Sequence, residues 1–222
     1  DYIYDELGDL TGLIAVISDI TTRKQQEERI LHLAQYDTLT SLPNRFLALD
    51  RLSQRLKLAH PNKDMVGGLC MDLDDFKKIN ESLGHSAADA LLIQVTKRIQ
   101  THIRHGDTLG RLGGDEFIVL LTDLQTTEEI TQIVENLIQQ FRLPFSIDGQ
   151  SLTMTLSIGV AIHPVDGNDA SQLLRQADAA MFYAKSNGRN TFTYYTESMN
   201  RDATRRLLIE QQMYGALERG EF

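Results

Sequence analysis

The 222 residues carry 41% hydrophobic side chains and a formal net charge of −9, enough apolar content for one well-buried domain with flanking pieces. No apolar run approaches the roughly 18 residues a transmembrane helix needs, and the acidic, polar start lacks the basic opening of a secretory signal. The acidic balance opposes nonspecific binding to DNA, RNA or an anionic membrane surface, so a polyphosphate ligand would need a metal ion or a local Lys/Arg cluster. The single cysteine, Cys70, sits in an apolar run without a disulfide partner, and a reducing, cytoplasmic setting is expected.

In chain order, Gly12-Leu13-Ile14-Ala15-Val16-Ile17-Ser18-Asp19-Ile20-Thr21 reads as a short strand leading into a helix over residues 23–35. Thr21 and Thr22 are candidate N-caps, and Glu27 and Glu28 suit an early turn; Ile30, Leu31, Leu33 and Ala34 form the apolar part of the helix. Apolar runs at 65–71, 117–121 and 152–162 predict strands. Helical spacing is carried by Ala88, Leu91, Leu92, Val95, Ile99 and Ile103, then by Ile130, Ile133, Val134, Leu137, Ile138 and Phe141. It returns in Leu173, Ala177, Ala180, Met181 and Ala184. Strands alternating with amphipathic helices imply an α/β sandwich built on a sheet. Residues 200–222 pattern as a further helix with Leu207, Leu208, Ile209, Met213, Ala216 and Leu217 apolar.

Two clusters carry chemistry. In Arg111-Leu112-Gly113-Gly114-Asp115-Glu116-Phe117-Ile118-Val119 the paired glycines predict a tight hairpin, since glycine enters positive φ without steric cost. They also let a phosphate approach the backbone, with two carboxylates following to hold a divalent ion; a solvated turn is the alternative. In Met71-Asp72-Leu73-Asp74-Asp75-Phe76-Lys77-Lys78-Ile79-Asn80, Asp72 and Asp74 fall on one side of a strand. Carboxylates so close repel unless solvent or a cation intervenes, and hard oxygen donors of this kind suit Mg²⁺. The alternative is a polar helix start capped by Asp74.

Together these clusters resemble one family. Asp37-Thr38-Leu39-Thr40-Ser41-Leu42-Pro43-Asn44-Arg45, the run from Asp72 to Asn80, Gly84-His85 with Asp89, Gly113 to Phe117, and Lys185 with Arg189 stand in the order and spacing of GGDEF-type diguanylate cyclase domains, over residues 37–196. The resemblance implies a mostly antiparallel central sheet flanked by helices, like the class III nucleotide cyclase and polymerase palm fold. It implies that two GTP molecules are condensed into cyclic di-GMP and pyrophosphate by facing domains of a homodimer. Mg²⁺, two ions per site, would serve as cofactor, with Mn²⁺ as a substitute. Asp72, the Leu73 carbonyl, Asp115 and Glu116 would be metal ligands, and Asp115, Glu116 and Lys77 the catalytic group. Asn80 and Asp89 would read guanine, and Lys77, Lys185 and Arg189 would hold the triphosphate. His85 stands where the family has a nucleotide-contacting histidine, with packing in the turn as the alternative.

Arg104-His105-Gly106-Asp107 resembles the family's inhibitory product site, where arginine grips phosphate and aspartate reads guanine. A local Arg104–Asp107 ion pair is the bland reading. The sequence departs from the family at Glu81 and at Ala88, whose Cβ is expected beside the base pocket. His32, His60, His102 and His163 show no metal-ligand spacing. The flanks resemble other modules: residues 1–22 the end of a PAS-like domain, 23–36 a signalling helix, 37–198 the GGDEF domain, and 199–222 a linker helix and the start of an EAL-like domain. An ordinary N-terminal strand and helix of the main domain is the alternative for the first two. A second functional reading is a catalytically weak domain that senses GTP or cyclic di-GMP and regulates an adjacent EAL phosphodiesterase.

Overall fold

A computed structural model describes residues 2–4, 6–13, 21–59 and 64–199. The expected helix over 200–222 with its EAL-like opening, the 14–20 part of the expected N-terminal strand, and His60 lie outside the described residues. The chain divides into two compact units, residues 1–34 and 35–222.

In the first unit, strands β1 (Tyr2–Tyr4) and β2 (Leu10–Leu13) pair antiparallel. Helix α1 (Thr21–Gln35) starts two residues before the expected bound, so Thr21 and Thr22 lie in its first turn instead of capping it. Its apolar residues Ile30, Leu31 and Leu33 are exposed.

The second unit holds α2 (Arg45–Leu58), β3 (Met65–Leu73), α3 (Phe76–Gln100), β4 (Thr108–Gly113), β5 (Glu116–Leu124) and α4 (Thr127–Phe141), followed by β6 (Phe145–Ile147), β7 (Gln150–Leu152), β8 (Leu156–His163), α5 (Ala170–Ser186) and β9 (Phe192–Tyr194). The main sheet runs β4-β5-β3-β8-β9. Its pairings are antiparallel except β8 with β9, which is the mostly antiparallel arrangement expected; β6 and β7 form a separate hairpin. The expected 152–162 strand resolves into the end of β7 and β8. Between them the backbone leaves the ladder at Thr155, whose carbonyl accepts the Asp74 N–H at 2.9 Å.

Strand alternation decides the two faces. Leu69, Met71, Leu73, Phe117, Val119 and Leu121 pack with Leu91, Leu92 and Val95 of α3 and Ile130, Val134 and Leu137 of α4. On the other face Val66, Cys70, Ile118 and Leu120 pack with Ala48 and Leu52 of α2 and Leu173, Leu174, Ala177 and Met181 of α5. Helix α5 lies directly on β8 at Gly159, where a Cβ would stand 1.9 Å from the Ala177 carbonyl oxygen and 2.1 Å from the Met181 N. Only glycine permits that approach. It sets the height of α5 over the sheet, and thereby the reach of Lys185 one turn further on. Among the described residues no helix is long and apolar enough to cross a membrane.

Candidate active site

The predicted hairpin is present: Gly113 pairs with Glu116 across the Gly114-Asp115 turn, and Gly113 and Gly114 adopt φ of 143° and 51°. Arg111 braces it from within. Its guanidinium donates to the Gly114 carbonyl from Nε (3.0 Å) and Nη2 (2.7 Å), and from Nη1 to both Asp37 oxygens at 2.9 and 3.1 Å. Asp37 also accepts the Thr40 amide and hydroxyl at 2.8 and 2.6 Å. Burial opposes the charge on Asp37, but Thr40 and Arg111 together outweigh it and hold the carboxyl below its ordinary value. Sequence reasoning assigned no role to Arg111 and no link between Asp37 and the hairpin. Each residue lies in a local motif, yet 74 positions separate them.

The acidic centre forms where β3 ends. Asp72 lies opposite Glu116 on one neighbouring strand and Ser157 on the other, and the Leu73 N–H donates to the Asp115 carbonyl at 3.4 Å. Asp72, Leu73, Asp115 and Glu116 are thus brought together. Asp72 is 5% exposed, and Lys185 Nζ stands 2.6 Å from its Oδ2. Its Oδ1 is buried without a hydrogen-bond partner. Burial, with the Asp115 and Glu116 charges added, outweighs the help of Lys185 and pushes the Asp72 carboxyl up to about 6.

An orphaned buried oxygen close to two further carboxylates, Asp115 and Glu116, fits a hard divalent cation whose remaining ligands are water and substrate phosphate. Among the described residues, no three His, Cys, Asp or Glu side chains already stand as a closed metal-ligating set. The Lys185 ammonium supplies the counter-charge in this arrangement.

Asp74 belongs to a different task. Its carboxylate accepts the Thr155 and Ser157 hydroxyls, each at 2.7 Å, and the Asn190 N–H at 3.0 Å. It ties the loop after α5, where Arg189 and Asn190 take positive φ, to the end of β3. The alternative reading, a helix start with Asp74 as cap of the turn after the strand, is not what forms: Asp75 is the cap residue of α3, in left-handed conformation and without a side-chain cap bond.

Helix α3 is broken at Gly84, φ 82°. Lys77 and the half-buried Asn80 precede the break; His85 and Asp89, both exposed, follow it. Lys77 sits 3.7 Å from Glu81 in an exposed pair. Ala88 is 1% exposed in the core, so its Cβ packs inward instead of standing beside a base pocket as expected. Core packing, which admits a methyl there, accounts for the departure.

Arg104 and Asp107 lie beyond the C-terminus of α3 and do not pair side chain to side chain as the bland reading had it. Arg104 Nη2 is 2.7 Å from Glu129 Oε2 of α4. Asp107 accepts backbone N–H groups from Arg104 at 2.8 Å and Thr122 at 3.2 Å.

The family model "Diguanylate cyclase, GGDEF domain" matches residues 34–191. The chain is 38% identical over 199 residues to the bifunctional diguanylate cyclase/cyclic di-GMP phosphodiesterase MucR of Pseudomonas aeruginosa, covering 90% of this chain and 29% of MucR. It is 35% identical over 206 residues to the cyclic di-GMP phosphodiesterase PdeR of Escherichia coli, covering 93% of this chain and 31% of PdeR. The chain therefore spans about three-tenths of these curated relatives. The solved GGDEF domain of TpbB (YfiN) from Pseudomonas aeruginosa superposes with a TM-score of 0.74 at 36% identity, over 76% of this chain and 99% of that one. With the hairpin, the acidic centre and the sheet order in agreement, the chain belongs to the GGDEF family of diguanylate cyclase domains.

Proposed function

We propose that this chain is a Mg²⁺-dependent diguanylate cyclase half-site that condenses GTP into cyclic di-GMP when two copies face each other. The observation that carries the reading is Asp72: a buried carboxylate beside Asp115 and Glu116, one oxygen on Lys185 and the other without a partner. Divalent ions held by Asp72, the Leu73 carbonyl, Asp115 and Glu116 would supply Lewis-acid stabilisation of the phosphoryl oxygens. Lys77, Lys185 and Arg189 offer cationic donors for the triphosphate. Asn80 and Asp89, on either side of the Gly84 break, would read the guanine N1–H and N2–H₂ edge.

In each direction a 3′-oxygen would bond to the α-phosphorus of the other copy's GTP while its proton passes to Asp115. The α–β bridging P–O bond breaks and pyrophosphate leaves with the electron pair. Two such displacements close the ring, so positioning of two half-sites is the central requirement. Arg104 and Asp107 are read as the product site, which product would enter only by displacing Glu129 from Arg104. Residues 1–22 are read as the edge of a PAS-like neighbour, 23–36 as a signalling helix and 199–222 as a linker helix and EAL-like start, in keeping with relatives about three times as long.

The test is incubation of the purified chain with GTP and Mg²⁺ across protein concentrations, following cyclic di-GMP and pyrophosphate by chromatography. Product that rises faster than linearly with protein concentration is expected. Similarity to a phosphodiesterase favours a second reading, a nucleotide-sensing domain. GTP binding without product at any concentration would select it. Asp89→Ala should erase a preference for GTP over ATP of about tenfold or more, because adenine lacks both donors and leaves a carboxylate unpaired.

A further inference from the structure

The acidic centre opens on one side of the sheet only. Asp72 follows Cys70 by two residues on β3 and Glu116 precedes Ile118 by two on β5, so all four side chains share the α2/α5 face. Lys185 of α5 meeting Asp72 agrees with this. From Glu116 and Cys70 a cleft of ≈ 400 Å³ runs outward between Arg45 of α2 and Arg175 and Asp178 of α5. Both arginines are exposed. Among the described residues neither guanidinium has a hydrogen bond or an ion pair within 4.0 Å; Arg45 acts on Asp178 only at longer range. Phe46, next to Arg45, is 66% exposed, and Phe182, one turn beyond Asp178 on α5, is 51% exposed. Arginine and aromatic side chains around a concave centre are the composition of a protein interface.

We infer that this cleft receives the phosphates of the nucleotide bound to a second copy of the chain, with Arg45 and Arg175 gripping them in trans. The inference rests on the proposed function and deepens it. A two-fold arrangement presents the same patch twice, so one contact set serves both displacements. The occupant is a delivered nucleotide and not a free anion, because Glu116 and Asp178 in the same cleft balance the two guanidiniums. A small phosphate therefore gains little net attraction, whereas a docked copy adds the surface around Phe46 and Phe182. Guanidinium groups without partners are preorganised for bidentate phosphate contact.

The experiment compares wild type with Arg45→Ala/Arg175→Ala, using the non-cyclisable α,β-methylene analogue of GTP with Mg²⁺. Calorimetry reads nucleotide affinity, and analytical ultracentrifugation reads association. Wild type should bind one analogue per chain and dimerise more strongly with it. The double variant should bind the analogue within about twofold of wild type, while analogue-promoted dimerisation and kcat each fall about tenfold with KM for GTP little changed. Arg45→Lys/Arg175→Lys should restore part of the loss. A double variant that dimerises and turns over like wild type overturns the inference and leaves the proposed function standing. So does wild type that binds the analogue yet remains monomeric, or that binds inorganic pyrophosphate in the cleft equally well. Wild type that fails to bind the analogue overturns the functional reading itself, and this inference with it.

Discussion

The acidic centre and the Arg104–Asp107 corner are both built from short polar motifs next to glycine, yet they are assembled in opposite ways. At the centre, Asp72 is buried, one oxygen lacks a partner, and its neighbours arrive from β3, the β4–β5 turn and α5. At the corner, Asp107 is satisfied by backbone amides three and fifteen residues away, and Arg104, 52% exposed, is held by Glu129. At the first place one buried oxygen is left open to a further ligand. Local satisfaction at the second means that a ligand must displace an existing contact. Under the proposed function the first would bind readily and the second would respond weakly.

The largest effect is expected for Asp115→Ala. Turnover should fall about 10²-fold or more, because the proposed metal ligand and proton acceptor is removed. Thermal stability should hardly move, since Asp115 is a half-buried turn residue. Unchanged turnover would remove Asp115 from the chemistry and the distinction between the two regions with it.

Next in size is the Arg111 brace. Arg111→Met removes the guanidinium from the Gly114 carbonyl and from Asp37, which keeps only its Thr40 donors, and should cost about 2–3 kcal/mol in denaturant unfolding. Turnover should drop as well, because the hairpin that carries Asp115 loses its anchor. The brace also predicts a pH dependence. Asp37 is held below its ordinary carboxylate value in the fold, so its contribution is fully present above about pH 4 and is lost as pH falls through the lowered value. Asp37→Asn should flatten that acid limb in unfolding curves measured between about pH 5 and 2. An identical limb in the variant would assign acid sensitivity to other carboxylates.

The smallest effect is expected at the corner. Glu129→Gln frees Arg104 from an exposed pair, and such pairs are weak, so cyclic di-GMP should bind about two- to fivefold tighter by calorimetry. Arg104→Ala should remove most of that binding. If the Glu129 variant binds as wild type does, Glu129 does not compete with product. If Arg104→Ala binds as wild type does, the product site lies elsewhere, and the corner is purely structural.

The alternation of strands and amphipathic helices, the hairpin at Gly113-Gly114, and the identity of the acidic and cationic groups are legible in the amino-acid order alone. These are local properties: side-chain period, the positive φ open to glycine, and the charge of each residue type. Neighbours more than a few positions apart were decided only by the tertiary structure. Asp72 and Asp74, two residues apart and chemically identical, part company because β3 ends at Leu73. Asp72 stays in the ladder beside Glu116, while Asp74 turns to Thr155, Ser157 and Asn190. Ala88 reads as a pocket residue until the packing of α3 turns it into the core. The Arg111–Asp37 brace joins strand β4 to the loop before α2 through a contact between residues 74 positions apart that neither motif encodes alone. Sheet register and the close approach of α5 at Gly159 bring these groups within hydrogen-bonding distance, and both are set by the mutual burial of faces that no single segment can bury by itself.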